Sequence, residues 1–236
     1  FSDPLTQAAT LDKAIAKRLV RDAGLPTAPF AVIASAADAA AAGLPFPAFV
    51  KPLAEGTGKG CERASKVFDA AGLAAAASAL IARFGQPALA EAYLPGREFT
   101  VGVLGEGERA HAIGTFEITL VSAEDDAIYT YASKEESETR VVYTLVDDAE
   151  AEAAARTALA AYRTLGCRDA ARVDLRSDAS GLPHFLEVNS LAGLHPTHSD
   201  LPMLATAVGM TYDALLAAIV ASACRRHGLA EAREAA

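Results

Sequence analysis

The clearest patterning in the chain lies at 171–190, where Arg172, Asp174, Glu187 and Asn189 alternate with Val173, Leu175, Leu186 and Val188. A period of two marks half-buried strands with one apolar and one polar face. The two runs predict a hairpin. With a two-residue turn on Ser180-Gly181, residue 174 pairs with 187 and 172 with 189, because partner numbers on an antiparallel ladder have a constant sum. A longer turn using Asp178 and Ser180 would change the pairing and keep the alternation. Near the N-terminus, Leu11, Ile15, Leu19 and Val20 fall at helical spacing after Asp3-Pro4, and Gly24 and Pro26 end the run. Lys13 and Lys17 share one face of that helix and read as solvated charge. Further strands are predicted at 30–34, 48–50, 65–68, 88–91 and 97–104, and alanine-rich helices at 36–42, 70–84 and 149–165. Helices at 202–208 and 212–226 flank Gly209. Between 117 and 143 an apolar strand passes into a long, charge-dense loop, of the kind that is a functional lid or disordered.

Length and charge narrow the classes. The 236 residues suffice for one large domain or two small ones, and 52 % apolar content supports a proper core. A net charge of -9 sets the summed field against nucleic-acid backbone or an anionic membrane as partner. No apolar run approaches a membrane span, and no charged-then-apolar leader is present. Cys61, Cys167 and Cys224 are odd in number and lack Cys-x-x-Cys spacing, so neither a disulfide framework nor a zinc site is indicated and a reducing cytoplasmic setting fits. The first residue is Phe1, which reads as a fragment or a processed form.

Candidate chemistry follows from the hairpin. Two carboxylates directly opposite each other lie about 5 Å apart and repel, so a positive group belongs between them. Asp174, Glu187 and the Asn189 amide form an oxygen-only set suited to Mg²⁺, with Arg172 as a fork for phosphate. A solvated polar face is the alternative. Upstream, the strand at 48–50 delivers Lys51 and leads into a loop containing Glu55, Gly56, Thr57, Gly58, Lys59 and Gly60. Its glycines let backbone amides approach a phosphate, although the order is not a Walker loop, and a ligand-free glycine turn would look the same. Glu91 and Glu98 bracket the link Ala92-Tyr93-Leu94-Pro95-Gly96 and could accept from purine amino or ribose hydroxyl groups. His195 and His198 sit on a proline-broken loop, which does not place them on one helix face as a zinc site would need.

Taken in order, these segments resemble the ATP-grasp ligases, and within them the D-alanine-D-alanine ligase group. The resemblance rests on Lys13, Lys51-Pro52 with its glycine loop, Glu91-Ala-Tyr-Leu94, Gly96-Arg-Glu98, Arg172-Val-Asp174, Glu187-Val-Asn189 and Gly193. It implies an α+β ATP-grasp fold of two subdomains whose mainly antiparallel sheets clamp ATP. Residues 1–30 would be the entering helix and linker, 31–104 the smaller subdomain and 105–236 the larger. It implies an ATP-dependent carboxylate-amine ligase that works through an acyl phosphate on small amino acids, with ATP and Mg²⁺ bound. Lys13, Lys51 and residues 55–60 would meet the phosphates, Glu91 and the backbone of Ala92, Tyr93 and Leu94 the adenine, and Glu98 the ribose. Asp174, Glu187 and Asn189 would hold Mg²⁺, Arg172 would stabilise the transferring phosphoryl group, and the Gly193 amide would face an oxyanion. Lys134 would be the lid lysine.

The departures from the family pattern cluster on the amino-acid side. Glu135 stands where the lid has tyrosine, Thr57-Gly58 where the phosphate loop has two serines, and Ala192 where proline precedes Gly193. The run His195-Pro-Thr-His-Ser-Asp200 replaces a hydroxyl-rich one. The family has an N-terminal domain of roughly a hundred residues that supplies part of the first amino-acid site and should end where this chain begins, so a separate N-terminal domain or a homodimer partner is expected. An ATP- and Mg²⁺-binding module without ligase activity in isolation is the alternative function.

Overall fold

The computed structural model describes residues 1–56, 58–120 and 141–229. In chain order it contains α1 (Pro4–Leu11), α2 (Lys13–Asp22), β1 (Phe30–Ile33), α3 (Ala36–Ala41), β2 (Ala48–Pro52), β3 (Lys66–Val67), α4 (Ala70–Phe84), β4 (Ala88–Ala92) and β5 (Glu98–Leu104). There follow β6 (His111–Leu120), β7 (Val141–Leu145), α5 (Ala149–Thr164), β8 (Ala170–Ser177), β9 (Pro183–Asn189), α6 (Asp200–Ala207) and α7 (Tyr212–Arg226). The strands form two antiparallel sheets, one ordered β1-β4-β2-β3 and the other β7-β6-β5-β8-β9. The chain changes sheet between Ala92 and Glu98, earlier than the boundary at 104 read from the sequence.

Alternation assigns the faces of each sheet. In the smaller one, Ala48, Val50, Ala88 and Ala90 pack on Leu73 and Ala77 of α4. Phe49, Lys51 and Glu91 then point the opposite way, into the cleft between the sheets. In the larger one, Phe99, Val101, Val103, Val173 and Leu175 pack on Ala154, Ala158 and Tyr162 of α5. The polar face of β5 and β8 looks into the same cleft.

The N-terminal helix is two helices. Asp12 interrupts it, and its carboxylate caps α2 by accepting from the Ala14 and Ile15 amides, both at 2.9 Å. The burial is also inverted. Leu11, Ile15 and Leu19 are 58 %, 41 % and 42 % exposed, whereas Lys13 and Lys17, read as solvated, are 7 % and 0 % exposed. Ala14, Ala16 and Val20 form the packed face, and their small size lets α2 approach both sheets closely enough for its lysines to reach between them.

The hairpin pairs Arg172 with Asn189 and Asp174 with Glu187, as predicted, but by a different route. Its loop is the five residues 178–182, organised by the Asp178 carboxylate, which accepts from the amides of Ser180 at 2.8 Å and Leu182 at 3.1 Å. The register this loop imposes is one residue off, since Leu175 pairs with Phe185. A bulge at Leu186 restores it. As a result Leu186 leaves the buried side, where alternation had placed it, and lines the cleft beside Glu187.

Part of the cleft face of the larger sheet is covered by α6. A Cβ on Gly102 would lie 2.9 Å from Leu204 Cδ2 and 3.1 Å from Leu201 Cδ1, so this glycine gives α6 its seat. Gly102→Ala should destabilise the protein by about 1–3 kcal/mol through overpacking. A urea titration showing a lowered midpoint at unchanged slope checks this.

Candidate active site

A buried ionic cluster sits where α2 meets both sheets. Glu91 of β4 lies 2.7 Å from Lys17 Nζ and 2.5 Å from Lys51 Nζ, and all three side chains are buried. Lys17 also donates to Thr27 Oγ1 at 2.9 Å and to the Phe185 carbonyl at 3.1 Å, which ties the small sheet to β9. Burial alone would raise the Glu91 carboxyl, but the two lysines outweigh it and hold it down at about 2. Burial lowers Lys17 more than Glu91 raises it, whereas Glu91 and Glu187 outweigh burial at Lys51 and keep it above its ordinary range. From the sequence Lys17 reads as solvated charge, and its complete burial overturns that. A second lysine one turn from Lys13 was the available signal.

The acidic side of the cleft comes from the hairpin. Glu187 lies 3.3 Å from Lys13 Nζ, which also donates to the Glu55 carbonyl. Burial opposes its charge, yet Lys13, Lys51 and Arg172 hold its carboxyl below the usual range. Asp174 accepts from Thr100 Oγ1 at 2.8 Å and from Arg172 Nη2 at 2.9 Å. Burial and the facing Glu187 push its carboxyl up. Asn189 donates its Nδ2 to Asp174 at 3.2 Å, so its oxygen faces a metal only after the amide turns over. No cluster of three His, Cys, Asp or Glu capable of holding a metal occurs among the described residues. The set of two carboxylates and one amide is nevertheless all oxygen, held close together by register, and its chemistry fits Mg²⁺.

The remaining predicted residues divide. Lys13, Lys51, Glu55, Gly58, Glu91, Ala92, Tyr93, Leu94, Glu98, Arg172, Asp174 and Glu187 all line one cleft. Glu98 pairs with Arg176 at 3.1 Å, and Arg176 also donates to the Tyr93 hydroxyl at 3.1 Å, a clamp that sequence reading did not find. Burial raises the Glu98 carboxyl. In the link 92–94, the amides of Ala92 and Tyr93 donate to the Pro29 and Pro47 carbonyls, both at 2.9 Å, so among the described residues only the Leu94 amide has no such partner. In the glycine loop the amides of Lys59 and Cys61 bond to Gly56 and Gly58 within the loop. Gly193 is exposed and does not line the cleft, and Ser199 packs where its Cβ would be. Gly56 is likewise exposed outside the cleft lining. Thr57, Lys134 and Glu135 lie outside the described residues.

Two antiparallel sheets with lysines from one side and carboxylates from the other meeting in the cleft between them define the ATP-grasp class. The family described as "D-ala D-ala ligase C-terminus" matches residues 19–221, so the chain belongs to the D-alanine-D-alanine ligase family of ATP-grasp ligases. A D-alanine-D-alanine ligase of Bordetella petrii is 35 % identical over 96 % of this chain and 68 % of its own length. The uncharacterized protein y4sG of Sinorhizobium fredii is 34 % identical over 96 % and 66 % respectively. Among solved structures, the VanG D-Ala:D-Ser ligase of Enterococcus faecalis superposes with a TM-score of 0.75 at 25 % identity, over 94 % of this chain and 64 % of its own. The D-alanine-D-alanine ligase of Bacillus anthracis complexed with ATP shares the fold at a TM-score of 0.73 and 23 % identity, over 96 % and 70 %. The chain thus spans about two thirds of the length of these relatives. No single helix among the described residues is long and apolar enough to cross a membrane.

The folded-state value of Glu91 lies below its ordinary 4.5, so the stability it contributes is present above about 4.5 and is lost as pH falls toward about 2. Glu91→Gln should lower stability at neutral pH by about 3–5 kcal/mol, because two buried lysines lose their shared carboxylate. It should also flatten the acid limb of a stability-versus-pH curve between those values, as read from urea midpoints.

Proposed function

We propose that the chain is the nucleotide- and metal-binding part of an ATP-dependent carboxylate-amine ligase of the D-alanine-D-alanine ligase type. The observation that supports this most is the convergence of Lys13 and Lys51 from the small-sheet side on Asp174, Glu187 and Arg172 of the larger sheet. Adenine lies along residues 92–94, taking the Leu94 amide, and Glu91, at the cleft end of β4, is the acceptor assigned to its amino group. Glu98, oriented by Arg176, accepts from the ribose hydroxyls. Lys13 and Lys51 neutralise the phosphates, and the glycine loop 55–60 with Lys134 covers them. Bound by Asp174, Glu187 and Asn189, Mg²⁺ supplies charge neutralisation on the phosphate oxygens.

The chemistry needs positioning and charge more than a covalent protein group. A substrate carboxylate oxygen attacks the γ-phosphorus of ATP and ADP leaves, giving an acyl phosphate. The amine of the second substrate attacks its carbonyl carbon, phosphate leaves, and an amide bond results. Arg172 faces the phosphoryl group in transfer, where its buried Nε has no protein partner. The amino-acid contacts are completed by a further domain of the kind that makes the relatives longer, or by a second copy. Placement in the cytoplasm agrees with three free cysteines.

Calorimetric titration of ATP with and without Mg²⁺, followed by phosphate release on adding D- and L-amino acids, tests the reading. Magnesium-dependent binding with amino-acid-stimulated release is expected. Binding without release would leave a nucleotide module, and absence of binding would overturn both. Asp174→Asn should cut Mg²⁺-dependent phosphate release by about 10²-fold or more at an unchanged urea midpoint, and retained release would remove Asp174 from the metal set.

A further inference from the structure

A lysine that meets a phosphate is most effective when no neighbour cancels its charge. Lys51 has such a neighbour, since Glu91 lies 2.5 Å from its Nζ in a buried setting that salt screens little. An isolated pair of this kind would be neutral toward an approaching anion. The pair is not isolated. The other oxygen of Glu91 lies 2.7 Å from Lys17 Nζ, so two ammonium groups share one carboxylate and a single positive charge is left over.

The two lysines stand differently to the cleft. Lys51 and Glu91 line it, whereas Lys17 does not and is 0 % exposed. Three acceptors surround Lys17 Nζ: Glu91 Oε2, Thr27 Oγ1 at 2.9 Å and the Phe185 carbonyl at 3.1 Å. The Thr27 hydroxyl donates its own hydrogen to that carbonyl at 3.0 Å, so toward Lys17 it can only accept. Three acceptors call for three N–H groups, which the ammonium has and the neutral amine lacks. Burial pulls Lys17 down, but this ring of acceptors favours the charged form and leaves no N–H for a ligand. Among the described residues Lys51 Nζ has Glu91 as its one partner, so two of its three N–H groups remain to be given at the cleft.

We propose that Lys17 is a positioning residue for nucleotide binding, one that balances Glu91 from behind so that the charge of Lys51 stays available to the phosphates. This rests on the reading of the cleft as a nucleotide site. Affinity for the phosphates then depends on a charge that touches no ligand, held in place by the contact between α2 and β9.

The test measures ATP affinity by calorimetry in the presence of Mg²⁺, and adenosine affinity by competition against ATP. Lys17→Met, a neutral residue of similar length, should weaken ATP about tenfold or more and adenosine by less than about twofold, because only the phosphates feel the lost charge. A role in holding the sheets together would weaken both alike. Adding Glu91→Gln to Lys17→Met removes the carboxylate too and restores the single excess charge, while the new amide oxygen still accepts from the adenine amino group. ATP affinity in this double variant should return to within about threefold of wild type. If Lys17→Met fails to fold, Lys17→Gln, whose amide can still donate to the Phe185 carbonyl, replaces it. Unchanged ATP affinity in the single variant, equal weakening of ATP and adenosine, or a double variant no tighter than the single one would each overturn the proposal. Failure of wild type to bind ATP would instead count against the nucleotide site itself.

Discussion

The arrangement depends on one buried ionic triad. Lys17, Glu91 and Lys51 come from α2, β4 and β2, and Lys17 reaches on to the Phe185 carbonyl of β9. Desolvating three charges is costly, and only mutual pairing with further hydrogen bonds offsets it. The geometry is therefore stringent. Phe185 contributes on both sides of the same strand, its ring packed in the larger core and its carbonyl bonded to the lysine. Through these contacts the position of the small sheet relative to the Arg172–Asn189 hairpin is fixed by charge as well as by apolar packing.

The larger sheet divides its cleft face between two uses. Where Gly102 removes a side chain, α6 lies against the strands and brings Asp200 with it. Where Thr100, Asp174, Arg176 and Glu187 stand up, the face is open and polar. The opposite face needs no such division, since it carries Val101, Val103, Val173 and Leu175 against α5. One glycine thus separates a helix-packing zone from a chemical one on the same strand.

Much of this was legible from local pattern. Alanine-rich helices, the strand that delivers Lys51 and the alternation of Arg172, Asp174, Glu187 and Asn189 on one hairpin follow from periodicity. What failed did so for tertiary reasons. The stripe Leu11, Ile15, Leu19 suggested the buried face of a helix, but the neighbouring surface is a cleft that holds charge, so the lysine face turned inward. Likewise the hairpin register came out right because two departures cancel, a longer loop and a one-residue bulge, and neither is visible in alternation alone. The pairings of Lys17, Arg176 and Asp200 were not legible, since their partners lie 74, 78 and 28 residues away, at Glu91, Glu98 and Arg172. Glu91 and Glu98 stood out because they bracket a recognisable link.

The bulge has an effect on the medium in which the reaction would occur. By turning Leu186 to the same side as Glu187, it sets an isobutyl group where strict alternation would leave room for water. Fewer solvent dipoles beside Glu187 mean a lower effective dielectric, so each cation and anion there acts on its neighbours with greater force. A single inserted residue in one strand thereby changes the solvent of the site as well as its shape.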